Sequence, residues 1–491
     1  MAKRGSITVF LTLVLSVVLA LVCTTIQSAR MAAARTQILC SVDVGLYSLF
    51  GQYDREILDE YDLFVLDGSC GGGELQMAKI YDNMESYIEP VLKQNSQKLS
   101  LVQGGFTGYR LLTDQKGEVF YQQAVQYMKE TLGSQGIQLL LDKMKDREQK
   151  TESAEKTGND AEQRNTLDSY ESEMSEAAKN SQAAKEEAAL SQGDAFSDGT
   201  NQVISPPAEK VVNPITIIKR IMKMGILDLV VPASKGISDK EIKNSSMLSG
   251  RNQQEGMTMF GNIEADTSYT SQILFQQYLM DKLGNFQTPS SKGLAYQMEY
   301  ILYGKNSDEE NLKAAAKRLL LIREGVNFTT LLADAGKRAQ AQTLALAIAS
   351  TFLIPPAASV LEAAIILCWS FAESVLDVRE LFDGGRVPLV KSSDDWQISL
   401  SNLPYLLDGL DTHRKSVEGG MSYEDYLQIL LLTQNKGNKL SRGMDMLELN
   451  IREKLGNESF RLDSCIVAME AQIDVRANQQ KVFTVTKQYS Y

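Results

Sequence analysis

The chain has 491 residues, 43% of them hydrophobic and 23% charged, with a formal net charge of −12. That length can hold roughly two or three domains with sizeable cores, and the acidic balance excludes an electrostatic nucleic-acid binder, which would carry a basic stripe. Five scattered cysteines, Cys23, Cys40, Cys70, Cys368 and Cys465, with no C-x-x-C spacing, exclude a disulfide-dense scaffold and a zinc ribbon.

The chain opens MAKRGSITVFLTLVLSVVLALVCTTIQSARMAAARTQ, and the twenty residues from Ile7 to Ile26 carry no charge. At about 1.5 Å rise per residue they span roughly 30 Å, the hydrocarbon thickness of a bilayer. A cleaved export signal has an apolar region of only about 7–15 residues. The nearest small-residue cleavage site, Ala32-Ala33-Ala34, lies well past the run, and Val22 stands before Cys23 where lipidation needs a small residue. The run therefore predicts a retained transmembrane helix. Lys3 and Arg4 ahead of it favour a cytoplasmic N-terminus. The expected localisation is the cell membrane, single-pass, with the body extracytoplasmic. Inside the span Ser16, Ala20 and Thr24 recur every four positions, small residues that let partner helices approach closely.

Helical periodicity continues beyond the span. Ile38, Val42, Leu46, Leu49, Tyr53 and Ile57 form one face. Residues 1–59 are thus read as leader, transmembrane helix and stalk helix, continuous to Asp59. Residues 60–145 predict a membrane-proximal α+β region. In it GSCGGGE (68–74) is a loop, since a phosphate loop would need a following Lys-Ser or Lys-Thr and a preceding βα pattern. LQMAKIYDNMESYIEPVLK is a helix. The stretch from Leu99 to about 121 holds one or two strands around a turn at Gln115–Gly117, and a helix follows.

Residues 146–210 contain fifteen acidic and seven basic residues but only two aromatics, Tyr170 and Phe196. Such a segment cannot bury enough apolar surface to offset its ordering entropy, so a disordered acidic linker is expected. Residues 211–455 predict a helical domain. NPITIIKRIMKMGILDLVV reads as a helix entered at Pro214. Its most apolar part, 341–382, reads as a buried helical hairpin around Pro355-Pro356 rather than a membrane pair: the first run is short, and Glu362 and Glu373 punctuate the second. GGRVPLVKSSDDWQISL suggests a loop with one or two short strands. Ser422, with Asp425 three residues on, reads as a helix N-cap. Residues 456–491 end in a β-hairpin around ANQQK that completes an antiparallel sheet with the strands near 100–121 and backs the stalk helix. The fold class is α+β, predominantly α, with a long N-terminal transmembrane/stalk helix, a small antiparallel sheet and a large helical region inserted between sheet strands.

Chemistry is sparse. The single histidine, His413, cannot build a His-rich metal site, and neither G-x-S-x-G nor H-E-x-x-H occurs. Asp394-Asp395 and Glu309-Glu310 read as helix starts or loop charges. No catalytic, cofactor-binding or metal-binding residues are assigned, and a non-enzymatic protein is expected.

Two resemblances add to this reading. A basic leader ending in glycine, KRG, followed by SITVFLTLVL and an amphipathic continuation, resembles type IV prepilins and their Tad/Flp pseudopilin relatives. The likeness implies processing between Gly5 and Ser6. It departs at the fifth mature position, where those proteins usually carry glutamate and this chain has Phe10. That departure implies complexes with a few machinery proteins rather than a homopolymer. YDREILDEYDLFVLD (53–67), LYGKNSDEENLKAAAKRLLLIREGVNF (302–328) and GMSYEDYLQILL (420–431) resemble an uncharacterised family of membrane-anchored proteins of Gram-positive bacteria associated with Tad-like pilus systems. The expected role is a pseudopilin-like or accessory component of a Tad-like pilus or secretion system. Its partners would be the membrane and machinery proteins met through the N-terminal helix, with no nucleic acid. A membrane-tethered surface interaction module and a membrane-anchored cell-wall enzyme are the alternatives.

Overall fold

A computed structural model describes residues 2–94, 98–157, 213–257, 263–351, 358–410, 416–477 and 481–491, with the single residues 172 and 175. The chain divides into two compact units. The sheet unit comprises Met1–Thr131, Lys243–Tyr278 and Lys436–Tyr491; the helical unit comprises Leu132–Ile242 and Leu279–Asn435.

In the sheet unit, helix α1 (Ala2–Phe50) buries Ala34, Ile38, Val42, Leu46 and Leu49, one face at helical spacing. It stops at Phe50 rather than continuing to Asp59. Gly51 N closes the last turn onto the Tyr47 carbonyl at 2.9 Å. Asp54 then caps a new helix, α2 (Arg55–Tyr61), its side chain accepting from Ile57 N at 3.0 Å. The apolar stripe runs through this break because Tyr53 and Ile57 keep the four-residue step.

After strand β1 (Leu66–Asp67), Asp67 ties the glycine-rich loop by accepting from Ser69 N and Gly71 N, both at 2.8 Å. Helix α3 (Met77–Lys93) follows, then β2 (Leu99–Leu111). Strands β3 (Cys465–Ala477) and β4 (Lys481–Ser490) form the C-terminal hairpin. β3 is central and antiparallel to its neighbours, with β2 on one edge and β4 and the short β1 on the other. Ala471, Ile473, Val475 and Ala477 face α1 and α3 in one core. The alternate residues Glu470 and Asp474 point the other way. There Asp474 accepts from Gln103 (2.7 Å) and Thr484 (2.6 Å), and Glu470 accepts from Thr107 and Gln488 (2.5 Å each).

No second strand follows β2. Gln115, Lys116 and Gly117 all take positive φ (53°, 59° and 86°), so the expected turn is there, but it opens helix α4 (Asp114–Thr157) instead of joining two strands. Asp114 holds the turn by accepting from Leu111 N (2.8 Å) and Gly256 N (2.9 Å). A Cβ at Gly117 would lie 2.7 Å from Met444 Cε, so both φ and space require glycine. Helix α4 also runs past 146, into the segment expected to be a linker. Arg147 explains it: its side chain is buried and donates to Asp425 at 2.5 Å and Gln428 at 2.8 Å. Apart from 172 and 175, the expected disorder at 158–210 lies outside the described residues.

The remaining helices are α5 (Pro214–Ile221), α6 (Ile226–Val230), α7 (Tyr269–Lys282), α8 (Gln297–Tyr303), α9 (Asp308–Ala333), α10 (Ala335–Thr351), α11 (Ala358–Asp383), α12 (Tyr423–Thr433) and α13 (Lys436–Leu455). Asn213 caps α5, and a break before Gly225 splits the one helix expected there. Ser307 caps α9, whose first turn holds Asp308, Glu309 and Glu310, favourable at a helix N-terminus. Ser422 and Asp425 form a capping box on α12. The region 211–455 is not one body: 243–278 and 436–455 belong with the sheet. The strands expected within 384–400 reduce, among the described residues, to one isolated bridge between Val387 and Met421. The chain is therefore α+β and predominantly α, with a long apolar N-terminal helix and a small antiparallel sheet.

Candidate functional site

Helix α1 changes character along its length. Its most apolar eighteen-residue window is 0% buried. Phe10, for example, is 68% exposed. The polar side chains in this stretch are satisfied within the helix: Thr12, Ser16, Thr24 and Thr25 donate to the carbonyls three residues earlier at 2.8–2.9 Å. A helix with its backbone and hydroxyls paired internally and apolar surface all round meets the conditions for crossing a bilayer. From Ala34 onward the same helix buries its stripe against α3 and the sheet. Gly5 and Ser6 lie within α1. Ser16, Ala20 and Thr24 are exposed on one face of its apolar half, where another helix can reach them.

Four buried ionisable groups of the helical unit, Arg323, Glu373, Asp377 and Lys391, pair with one another. Arg323 of α9 donates to Asp377 of α11 at 2.8 Å and to the carbonyls of Pro388 (2.9 Å) and Leu389 (2.7 Å). Lys391 contacts Glu373 and lies 2.5 Å from Asp377. Glu373 also accepts from Ile398 N at 3.0 Å. Burial acts to raise Asp377, but Arg323 and Lys391 outweigh it and hold the carboxyl below its ordinary value. Burial lifts Glu373 against the pull of Lys391. The cluster clamps the 387–398 segment onto α9 and α11. In the sequence Glu373 stands out only as an interruption; the signal for the cluster is the pair Glu373 and Asp377, one turn apart in the most apolar stretch after residue 211, which demands buried cations.

Glu299 of α8 is different. Its Oε1 accepts from Phe286 N (2.9 Å) and Tyr423 Oη (2.6 Å), while Oε2 is buried without a hydrogen-bond partner among the described residues. Burial pushes its carboxyl up to about 7. In the sheet unit, Arg251 bridges Glu448 (2.6 Å) and Asp463 (2.7 Å), joining α13 to the start of β3. Among the described residues no group of three or more His, Cys, Asp or Glu could hold a metal ion. Glu309 and Glu310 lie in the first turn of α9, and Asp395 closes a capping box with Ser392. His413 lies outside the described residues.

These features define a predominantly α, α+β protein with an N-terminal helix long and apolar enough to cross a membrane. The chain belongs to a family of unknown function, DUF5702, whose model matches residues 205–477, more than half of its length. The matched span contains the helices from α5 to α13 and β3, and leaves α1, β2 and β4 outside it. No curated protein and no solved structure matches the chain.

Proposed function

We propose that this protein is a non-enzymatic, membrane-anchored extracytoplasmic component, pseudopilin-like or an assembly accessory, of a Tad-like pilus or secretion system. The observation that carries the reading is the two-part helix α1: an exposed half with a charge-free span continues without interruption into a half packed on an antiparallel sheet. This is the arrangement of pilin-like subunits, in which the distal helix rests on its own sheet and the membrane half is left for partner helices. The exposed row Ser16, Ala20 and Thr24 suits such packing. Phe10, in place of the usual glutamate, favours small complexes over a homopolymer. It also keeps alive a second reading, a membrane-tethered surface module whose working part is the family-matched span.

The test exchanges residues 6–27 for an unrelated membrane helix of equal length. Cross-linking to co-expressed pilus-machinery proteins should disappear. Unchanged cross-linking would make α1 a plain tether and favour the surface module. A mature N-terminus at Ser6 when a prepilin peptidase is co-expressed would add independent support.

A further inference from the structure

The end of the sheet unit nearest the apolar half of α1 is basic, although the whole chain carries a net charge of −12. Side-chain contacts establish which end that is. Asp43 pairs with Lys487 at 3.0 Å, the Tyr47 ring meets Tyr489 at 6.3 Å, and Phe50 meets Tyr491 at 4.8 Å. Strand β4 therefore runs alongside α1 in the same direction, away from the apolar half. Helix α3 runs the opposite way: Gly45 lies against Ile88, and Gln37 Nε2 donates to the Val91 carbonyl. Leu99, Ala477 and Lys481 share one register, and Ala34, Leu92, Leu99 and Ala477 belong to one core. The start of β2, the end of β3, the start of β4 and the C-terminus of α3 thus meet at the level of Ala34.

Six basic residues decorate this level: Arg30, Arg35, Lys93, Lys98, Arg476 and Lys481, all exposed. Only Lys93 is neutralised, by Glu89 at 2.5 Å. The other five have no carboxylate partner among the described residues. The next acids stand farther from the bilayer. Asp43 is eight residues along α1 from Arg35, and Asp474 is three residues up β3 from Ala477, about 10 Å.

Distance to the membrane follows from the helix. Ala34 is eight residues beyond Ile26, about 12 Å along the axis. The headgroup layer takes up roughly 5–8 Å of that. The five cations without a carboxylate partner therefore sit within a Debye length, about 8–10 Å, of the headgroup plane.

We propose that this end of the sheet unit is a docking surface for anionic phospholipid headgroups, which holds the unit against the bilayer instead of letting it swing on its helix. The inference rests on α1 crossing the bilayer and not on the pilus reading.

The test uses the full chain in nanodiscs of phosphatidylcholine, alone or mixed with phosphatidylglycerol, and follows hydrogen exchange at residues 98–100 and 481–483. Exchange there should be at least about fivefold slower in the anionic discs, the worth of one basic residue at such a surface. High salt should abolish the difference. The triple variant Lys98→Gln/Arg476→Gln/Lys481→Gln should lose it, while Lys79→Gln, at the opposite end of α3, should keep it. Equal exchange in both lipids, or protection that persists in the triple variant, overturns the proposal. A chain that fails to enter the discs overturns membrane anchoring as well.

Discussion

Helices α1 and α11 are both long and apolar enough to span a bilayer, yet the most apolar window of α1 is 0% buried and that of α11 is 78% buried. The difference lies in the charges each must accommodate. The span of α1 from Ile7 to Ile26 has none. α11 carries Glu362, Glu373, Asp377, Arg379 and Glu380, and protein groups must answer them. Asp377 and Glu373 meet Arg323 and Lys391, and Arg379 donates to the carbonyls of Leu229 (2.9 Å) and Val231 (3.1 Å). A helix with such demands belongs in a protein core; a helix with none is free to face lipid.

The sharpest way to break this comparison is to remove one answering charge. Asp377→Ala leaves Arg323 and Lys391 buried without their shared partner. It should cost about 3–5 kcal/mol, the usual penalty for orphaning a buried charge, read as a lower denaturant midpoint for the full chain in detergent. A shift below the cost of an exposed pair would mean that water reaches the cluster and that α11 is not a closed core helix.

Within α1 the boundary between lipid-facing and protein-facing halves is testable residue by residue. Ile38→Ala should destabilise the sheet unit by about 2–5 kcal/mol. Leu13→Ala, in the exposed half, should leave the unfolding transition of that unit where it is. Equal effects at both positions would erase the division at Ala34.

The other buried carboxylate of the helical unit gives a pH-dependent counterpart. Glu299 stands at about 7 in the folded chain against an ordinary 4.5. The folded state therefore binds its proton more tightly than the unfolded state. The stabilisation is complete below about 4.5 and is lost as pH rises through 7. The interval corresponds to roughly 3 kcal/mol at most. Glu299→Gln should flatten the fall in stability between pH 5 and 8 (roughly the interval over which the group ionises), measured by chemical unfolding at each pH. A slope equal to that of the unaltered chain would show that Glu299 stays ionised and solvated.

The smallest expected effect is at the capping box of α12. Ser422→Ala removes the acceptor for Asp425 N and should cost about 1 kcal/mol. It provides a scale for ordinary secondary-structure terms beside the buried cluster.

Elements governed by local rules were legible in the chain itself. The charge-free span, the stripe Ile38, Val42, Leu46 and Leu49, the cap at Ser422, and the hairpin around ANQQK all follow from hydrophobic period and side-chain hydrogen bonding within a few residues. The break at Gly51 escaped because a linker that preserves a four-residue step leaves the period intact. The helical state of 146–157 escaped because it accompanies a pairing 278 residues away in sequence, between Arg147 and Asp425. The boundaries of the units escaped for the same reason: 243–278 and 436–455 join the sheet through contacts such as Arg251 with Glu448 and Asp463. Which residues can cross a membrane is a property of composition over twenty positions, and the sequence by itself determined it. Which apolar helix is core, which carboxylate keeps its proton near neutrality, and which cations gather beside the headgroups depend on groups brought together from distant segments, and only the tertiary structure decided them.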